Sequence, residues 1–438
     1  MEKKYSSREV FTPTKPARIA FVERNEVNDK LVSALRTPGK QVVVYGHSGT
    51  GKTTLLLNKL QQLYERHITS RCMKGMKFDQ LVLDAFDQLA PFYTSEFSSS
   101  QKRSISVDIG SSYKLLSAKI ASSATTEASD KSIRVLPPQL TPQALGKFLG
   151  EAGACWVIED FHKTEGGEKE RLAQLMKVFM DMSDEYPDLK IVALGAVDTA
   201  RQVVECDPEM KNRVAEIHVP LMTEHEIKQI VLKGEAALNI KFSPNITGII
   251  AKHCNGLASV CHHLCLNMCD AADINMVVPG AAYHLTNEHC EAALKTYVDE
   301  ASDSLKGAFE KALRPRRSAE NNAEIVIKAL VYFKEDGAAR FNIHKRIKES
   351  RPNYPDHRLK FTLGKLCEPS YGSVIRFDQN SSKYSFSDPI YRTYALARYQ
   401  EKPSQKARIP DAVPLQDFER LLLSLVREKM KMASLQDA

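Results

Sequence analysis

No apolar run in this sequence approaches the ~20 residues that a membrane-crossing helix needs. The opening stretch, MEKKYSSREVF, lacks the apolar core of a signal peptide, which sets the expectation of a cytoplasmic protein without a membrane partner. The nine cysteines fall at irregular intervals, so a reducing compartment is expected rather than a disulfide framework. No nuclease, protease or deaminase motif is evident, so effector chemistry of those kinds is expected on another chain. Neither sign of charge dominates: the net charge of +7 permits an acidic partner such as nucleic acid without demanding one. What is present is ordinary for a globular chain, 43% hydrophobic and 26% charged over 438 residues, enough for two or three domains.

The most informative stretch is residues 41–57, QVVVYGHSGTGKTTLLL. Val42, Val43, Val44 and Tyr45 form a short β-branched run that reads as a buried strand. Gly46-His47-Ser48-Gly49-Thr50-Gly51-Lys52-Thr53 then fits G-x-x-x-x-G-K-[ST] at every fixed position, and Thr54 to Leu57 open a helix. Glycines let such a loop wrap tightly, so that consecutive backbone N–H groups converge on phosphate oxygens, and the helix N-terminus adds partial positive charge. The expected ligand is ATP, held by Gly46, Ser48, Gly49, Thr50, Gly51, Lys52, Thr53 and Thr54. Lys52 would reach the β- and γ-phosphates, and the Thr53 hydroxyl would hold Mg²⁺. The alternative, a glycine turn that merely resembles a phosphate loop, does not require the full consensus between a strand and a helix.

A second nucleotide element is Ile158-Glu159-Asp160, an apolar strand ending in two carboxylates. Such a pair puts negative charge where Mg²⁺ and an attacking water would sit. Glu159 is expected as the magnesium carboxylate and Asp160 as the water-orienting base. Nucleotide-hydrolysing phosphate-loop proteins usually place Asp first, so the order found here leaves room for exchanged roles or slow hydrolysis. A charged strand end facing solvent is the bland alternative.

Along the chain, residues 1–20 are polar, with Pro13 and Pro16, and read as an extended arm. Val27, Leu31, Val32 and Leu35 recur at helical spacing. Helices are expected over 53–66, 77–89, 141–150 and 168–183, and further strands at 68–73, 155–158 and 191–194. This alternation indicates a parallel α/β sheet. Residues 95–132, rich in Ser, Thr and Ala, read as a flexible insertion. From about residue 223 the pattern is helical only. Residues 301–322 read as a charged linker. Residues 323–398 give three helices and two short strands, the order of a winged helix-turn-helix. A helix over 415–433 closes the chain, with Leu415, Phe418, Leu421, Leu422, Leu425, Val426 and Met430 on one face.

These features resemble AAA+-type ATPases over residues ~17–400, most of all the signal-transduction ATPases with numerous domains (the STAND class) and the origin-recognition-type ATPases. FVERNEVNDKLVSAL resembles the lead-in that packs beside the adenine. KIVALGAVDTA resembles the strand carrying a polar sensor of the γ-phosphate, here Asp198 or Thr199. PEMKNRVAEIHVPLMTEHEI resembles the segment in which AAA+ members place an arginine directed at a neighbour's nucleotide, which makes Arg213 the candidate finger; a surface arginine in a local ion pair is the other reading. CNGLASVCHHLC sits where the relatives carry a Gly-x-Pro step or a sensor arginine, and Gly256, Leu257, Ala258 and Ser259 match neither.

Cys261, Cys265 and Cys269, with His262 and His263 between them, permit a metal site, but the one-turn spacing beside Leu264 and Met268 favours a packed core stripe. His357, Arg358, Lys360 and Lys365 on the candidate recognition helix, with Arg376 on its wing, allow nucleic acid as a partner, while Asp356, Glu368 and Asp378 dilute the charge. The expected fold class is therefore α/β: a parallel-sheet P-loop NTPase core (21–222), an all-α lid (223–305) and a winged helix-turn-helix domain (323–400). The resemblance implies an ATP- and Mg²⁺-dependent switch ATPase with slow turnover, acting in prokaryotic signalling or antiviral defence as a homo-oligomer or with an effector protein. The alternatives are a DNA-binding replication or transposition ATPase and a nucleotide-locked scaffold that hydrolyses nothing.

Overall fold

Apolar strand residues of alternating orientation, densest in the three central strands, give the first half of the chain two buried faces, and helices cover both. The computed structural model describes residues 4–64, 66–100, 141–196, 210, 212–314, 322–333, 337–379 and 381–399. The sheet comprises β1 (Gln41–Tyr45), β2 (Arg66–Arg71), β3 (Ala154–Glu159), β4 (Lys190–Gly195) and β5 (Val214–His218) in the order β2-β3-β4-β1-β5. Every pairing is parallel. Val43, Trp156, Ile158 and Ile191 face α4 (Phe78–Ser100), α5 (Pro142–Glu151) and α6 (Gly167–Asp181). Val42, Val44, Val157 and Leu194 face α2 (Asn25–Arg36) and α3 (Lys52–Leu63). A sheet buried on both sides explains the unbroken apolar runs of β1, β3 and β4.

The helical segment follows: α7 (Glu224–Leu238), α8 (Pro244–Cys254), α9 (Ala258–Ala271) and α10 (Asn287–Asp299) share one core. Thr223 and Glu226 start α7 with a capping box. The expectation of helices alone from residue 223 needs correction, because Ile240–Phe242 (β6) and Tyr283–Leu285 (β7) pair in parallel. The charged stretch from 301 also contains a helix, α11 (Asp303–Leu313), whose Leu305, Ala308, Phe309 and Ala312 are buried at one-turn intervals. The arm differs from its expected extended form as well. Residues Ser7–Val10 form a turn of helix, α1, with a Ser6–Glu9 capping box, and Val10 and Phe11 are fully buried in the helical core.

Helix α12 (Asn322–Leu330) leads to strand β8 (Ala338–Ala339), helices α13 (Arg340–Ser350) and α14 (Asp356–Leu366) follow, and β9 (Ile375–Asp378) and β10 (Lys383–Phe386) complete an antiparallel sheet of spatial order β8-β10-β9. This is the winged helix-turn-helix arrangement, and α15 (Pro389–Arg398) follows it. The fold class is thus a parallel α/β P-loop core, a helical segment and a winged helix. Residues 95–100 continue α4, whereas 101–132, Asp198, Thr199 and the 415–433 helix lie outside the described residues.

Candidate nucleotide site

The phosphate-loop segment leaves β1 at Tyr45 and enters α3 at Lys52, as its sequence requires. Gly46 has φ +152°, and a Cβ there would lie 2.4 Å from the Val219 carbonyl oxygen. Gly49, at φ +80°, has no room either: its Cβ would lie 2.3 Å from Ser259 Oγ. Gly46 is therefore dictated by the close approach of backbone, and Gly49 by its left-handed φ. The Thr50 hydroxyl donates to the His47 carbonyl at 2.9 Å and tightens the turn. Lys52 Nζ donates to the carbonyls of Gly46 and His47 at 2.9 and 2.8 Å. Burial lowers the Lys52 pKa, and the carboxylates of Asp160 and Asp388 oppose that shift.

The loop borders a cavity of about 1060 Å³ that four parts of the chain share. The core contributes the loop, Thr53, Glu159, Asp160 and the end of β4 at Gly195. The helical segment contributes Ser259 and His262; Ser259 N–H also donates to the Gly49 carbonyl at 3.2 Å. The arm contributes Thr12 to Ala17, and the winged segment contributes Arg376, Ser387 and Asp388.

Glu159 ends β3 and Asp160 follows it, both on this cavity, and each carries a cation. Arg71 Nε lies 2.8 Å from Glu159 Oε2, and Lys163 Nζ lies 2.7 Å from Asp160 Oδ2. Asp160 adopts a left-handed backbone with φ +58°, a conformation Asp tolerates better than most residues. The loop glycines, Lys52, Thr53 and the two carboxylates together fit a nucleoside triphosphate with Mg²⁺: a glycine turn whose three glycines all have positive φ, a lysine, a hydroxyl and acidic oxygens.

Arg213 sits apart. It precedes β5, and its carbonyl accepts from Gln41 N–H at the start of β1, the end of the sheet opposite the loop. Its side chain, 41% exposed, pairs with Asp181 at 2.8 Å. Cys261, Cys265 and Cys269 are buried in the helical core beside Leu264 and Met268, as the core-stripe reading had it. Sequence reasoning did not place the arm, the winged residues Ser387 and Asp388, or His262, weighed only beside the cysteines, on this cavity. The only signal for His262 was its place one turn after Ser259 on the same helix. Thr12 N–H donates to His262 Nδ1 at 3.1 Å, and burial pushes the His262 pKa down.

No protein-family model matches the sequence, and no curated protein matches it. Among solved structures, the Walker-type ATPase of Pyrococcus abyssi aligns at 18% identity with a TM-score of 0.53, covering 88% of this chain and 99% of that one. Cdc6p from Pyrobaculum aerophilum aligns at 15% identity and a TM-score of 0.43, covering 89% of this chain and 97% of that one. The ORC2 protein of Aeropyrum pernix aligns at 13% identity and 0.48, with coverage of 89% and 97%. The first likeness is one of fold, shared along nearly the whole of both chains.

Proposed function

We propose that this chain binds ATP with Mg²⁺ at the phosphate loop and hydrolyses it slowly, using the bound nucleotide as a conformational switch. The observation that carries the reading is the shared cavity: a ligand seated on Lys52 would touch the arm, the core, the helical segment and the winged segment at once. A ligand shifts a conformational equilibrium only through contacts that differ between states, and a cavity built from separate segments supplies them. The working units are the core (21–222), the lid (223–305) and the winged domain (323–400).

In this scheme the loop amides, Lys52 and Thr54 bind the phosphates, Thr53 and Glu159 hold Mg²⁺, and Asp160 orients the attacking water. Magnesium would bridge the phosphates and neutralise the charge that develops on them. Asp198 is assigned as the γ-phosphate sensor on the strength of the sequence resemblance. That resemblance also supports a place in prokaryotic signalling or antiviral defence, with an effector protein as partner. The fold of the Pyrococcus abyssi Walker-type ATPase supports the nucleotide part of the reading.

Calorimetry with ATP and Mg²⁺ tests the proposal. Lys52→Ala removes charge-assisted hydrogen bonds and should weaken binding about ten- to hundredfold without lowering the melting temperature. Equal affinity of the variant and the native chain would overturn it. The ion pairs on Glu159 and Asp160 favour one second reading, a scaffold that binds ATP without hydrolysing it, and phosphate release at the background rate would select that reading.

A further inference from the structure

One stretch of the winged segment is densely basic. Residues 340–366, which hold α13 and α14, carry eight Lys and Arg against Glu349 and Asp356, a net +6 within a chain of net +7. Lys345, Lys348, Arg358 and Lys360 are exposed and hold no carboxylate among the described residues. Two phenylalanines stand among these cations: Phe341 is 76% exposed and Phe361 65% exposed. Neither serves the core, because Ile343, Ile347, Leu359, Leu363 and Leu366 fill the inner faces of the two helices. Lys365 Nζ lies 5.7 Å from the centre of the Phe361 ring, and Arg340 and His344 tie the two helices together at Asp356.

We propose that the exposed sides of α13 and α14 bind unpaired nucleic-acid strand, with Phe341 and Phe361 stacking on bases and the neighbouring cations tracking the phosphates. Charge complementarity selects a polyanion. The rings then select an unpaired one. In a duplex major groove a phenylalanine meets little beyond the thymine methyl group, whereas an unpaired base offers its whole face. Asp356 at the N-terminus of α14 further opposes a duplex mode, since the first turn of a helix in the groove approaches base edges and phosphates. The surface is separate from the nucleotide cavity, which neither phenylalanine lines, so the proposal stands independently of ATP binding.

Fluorescence anisotropy on the full chain tests it, with labelled oligo-dT, oligo-U and a blunt duplex of equal length, about 20 nucleotides, over a salt series. The expected result is at least about tenfold tighter binding of an unpaired strand than of the duplex. A preference between dT and U would support the proposal and identify the strand. The Phe341→Ala/Phe361→Ala double variant should lose about ten- to hundredfold with little change in salt slope. Lys345→Ala and Lys360→Ala should each reduce the log–log salt slope by about 0.7. Duplex binding that matches single-strand binding and ignores the phenylalanine variant would overturn the proposal. Binding confined to polyglutamate, or no binding of any strand at low salt, would overturn it too.

Discussion

Glu159 and Asp160 are neighbours in sequence, yet their surroundings differ. The Glu159 side chain is 17% exposed against Arg71, and that of Asp160 is 46% exposed against Lys163. Ion pairs at a surface contribute only about 0–1 kcal/mol, so a bound nucleotide could draw either carboxylate away from its partner. Asp160→Asn is expected to reduce phosphate release at least tenfold and leave ATP affinity nearly unchanged, the pattern of an interaction made only in the transition state. If Glu159→Gln has that effect and Asp160→Asn is silent, the two roles are exchanged. His262 gives a pH dependence. Its ring accepts the Thr12 N–H while neutral, and burial holds its folded pKa below the ordinary 6.5. The unfolded chain therefore takes up a proton that the folded chain resists. The stabilising contribution is complete above pH 6.5 and is lost as pH falls through the lowered folded value. His253 shifts in the same direction for the same reason, so the melting temperature should fall on acidification. Thermal melts at stepped pH should show a shallower fall for His262→Gln, whose amide oxygen can accept the same hydrogen bond without titrating. An unchanged slope would remove His262 as a contributor.

Helix α1 is four residues long, too short to be stable alone, and it holds its place by docking. Phe11 inserts where Gly234 of α7 leaves space: a Cβ on Gly234 would lie 2.2 Å from Phe11 Cζ. Gly234→Ala should therefore destabilise by about 1–3 kcal/mol through overpacking, although alanine favours helix more than glycine does. Phe11→Leu shortens the intruding ring and should recover part of that loss, which a double-mutant cycle by denaturant unfolding would read. Additive losses would show that the two residues are not packed against each other. This contact also shows where the sequence was legible. The phosphate loop announced itself through a contiguous consensus, and β1, β3 and β4 through apolar runs demanded by a two-faced sheet. Strand β5 did not, because Glu216 and His218 of this edge strand face solvent and break the run. The short helix α1 and the arm's place on the cavity depend on partners hundreds of residues away, as with Phe11 and Gly234 or Thr12 and His262, and β6 pairs with β7 across 43 residues. No local pattern encodes them. The charged start of α11 hid a buried face of only four residues.

At the scale of the molecule, the segments are fastened near the cavity. Arg24, buried, pairs with Glu226 of α7 and donates to the carbonyls of Pro220 and Leu221, which joins the core's lead-in helix to the lid. Arg392 of α15 donates to Asn255 Oδ1 at the end of α8 and to the Val331 carbonyl, which joins the winged segment to the lid. Asn255 and Gly256 both have positive φ, so the lid turns sharply where it is fastened. Such a frame can pass a change at the phosphates to distant surfaces, and the sequence resemblance makes Arg213 the residue at which to test an effect on assembly. It stands at the far end of β5 from the phosphate loop and cannot serve its own chain's nucleotide: five strand residues span about 16 Å, beyond the roughly 6–7 Å reach of an arginine. Its partner Asp181 is 60% exposed, so the pair contributes little stability and can be surrendered when a neighbour's γ-phosphate comes within reach. ATP is therefore expected to favour a homo-oligomer, with turnover per subunit rising with protein concentration. Arg213→Ala should flatten that rise and leave ATP affinity at low concentration unchanged. Asp181→Asn, which frees the arginine, should preserve the rise and shift the melting temperature by a degree or two at most, since about 1 kcal/mol moves a domain of this size by only a few degrees. Sedimentation that finds one monomer with and without ATP, together with turnover independent of concentration, would leave Arg213 as the surface ion pair that its contact with Asp181 already describes.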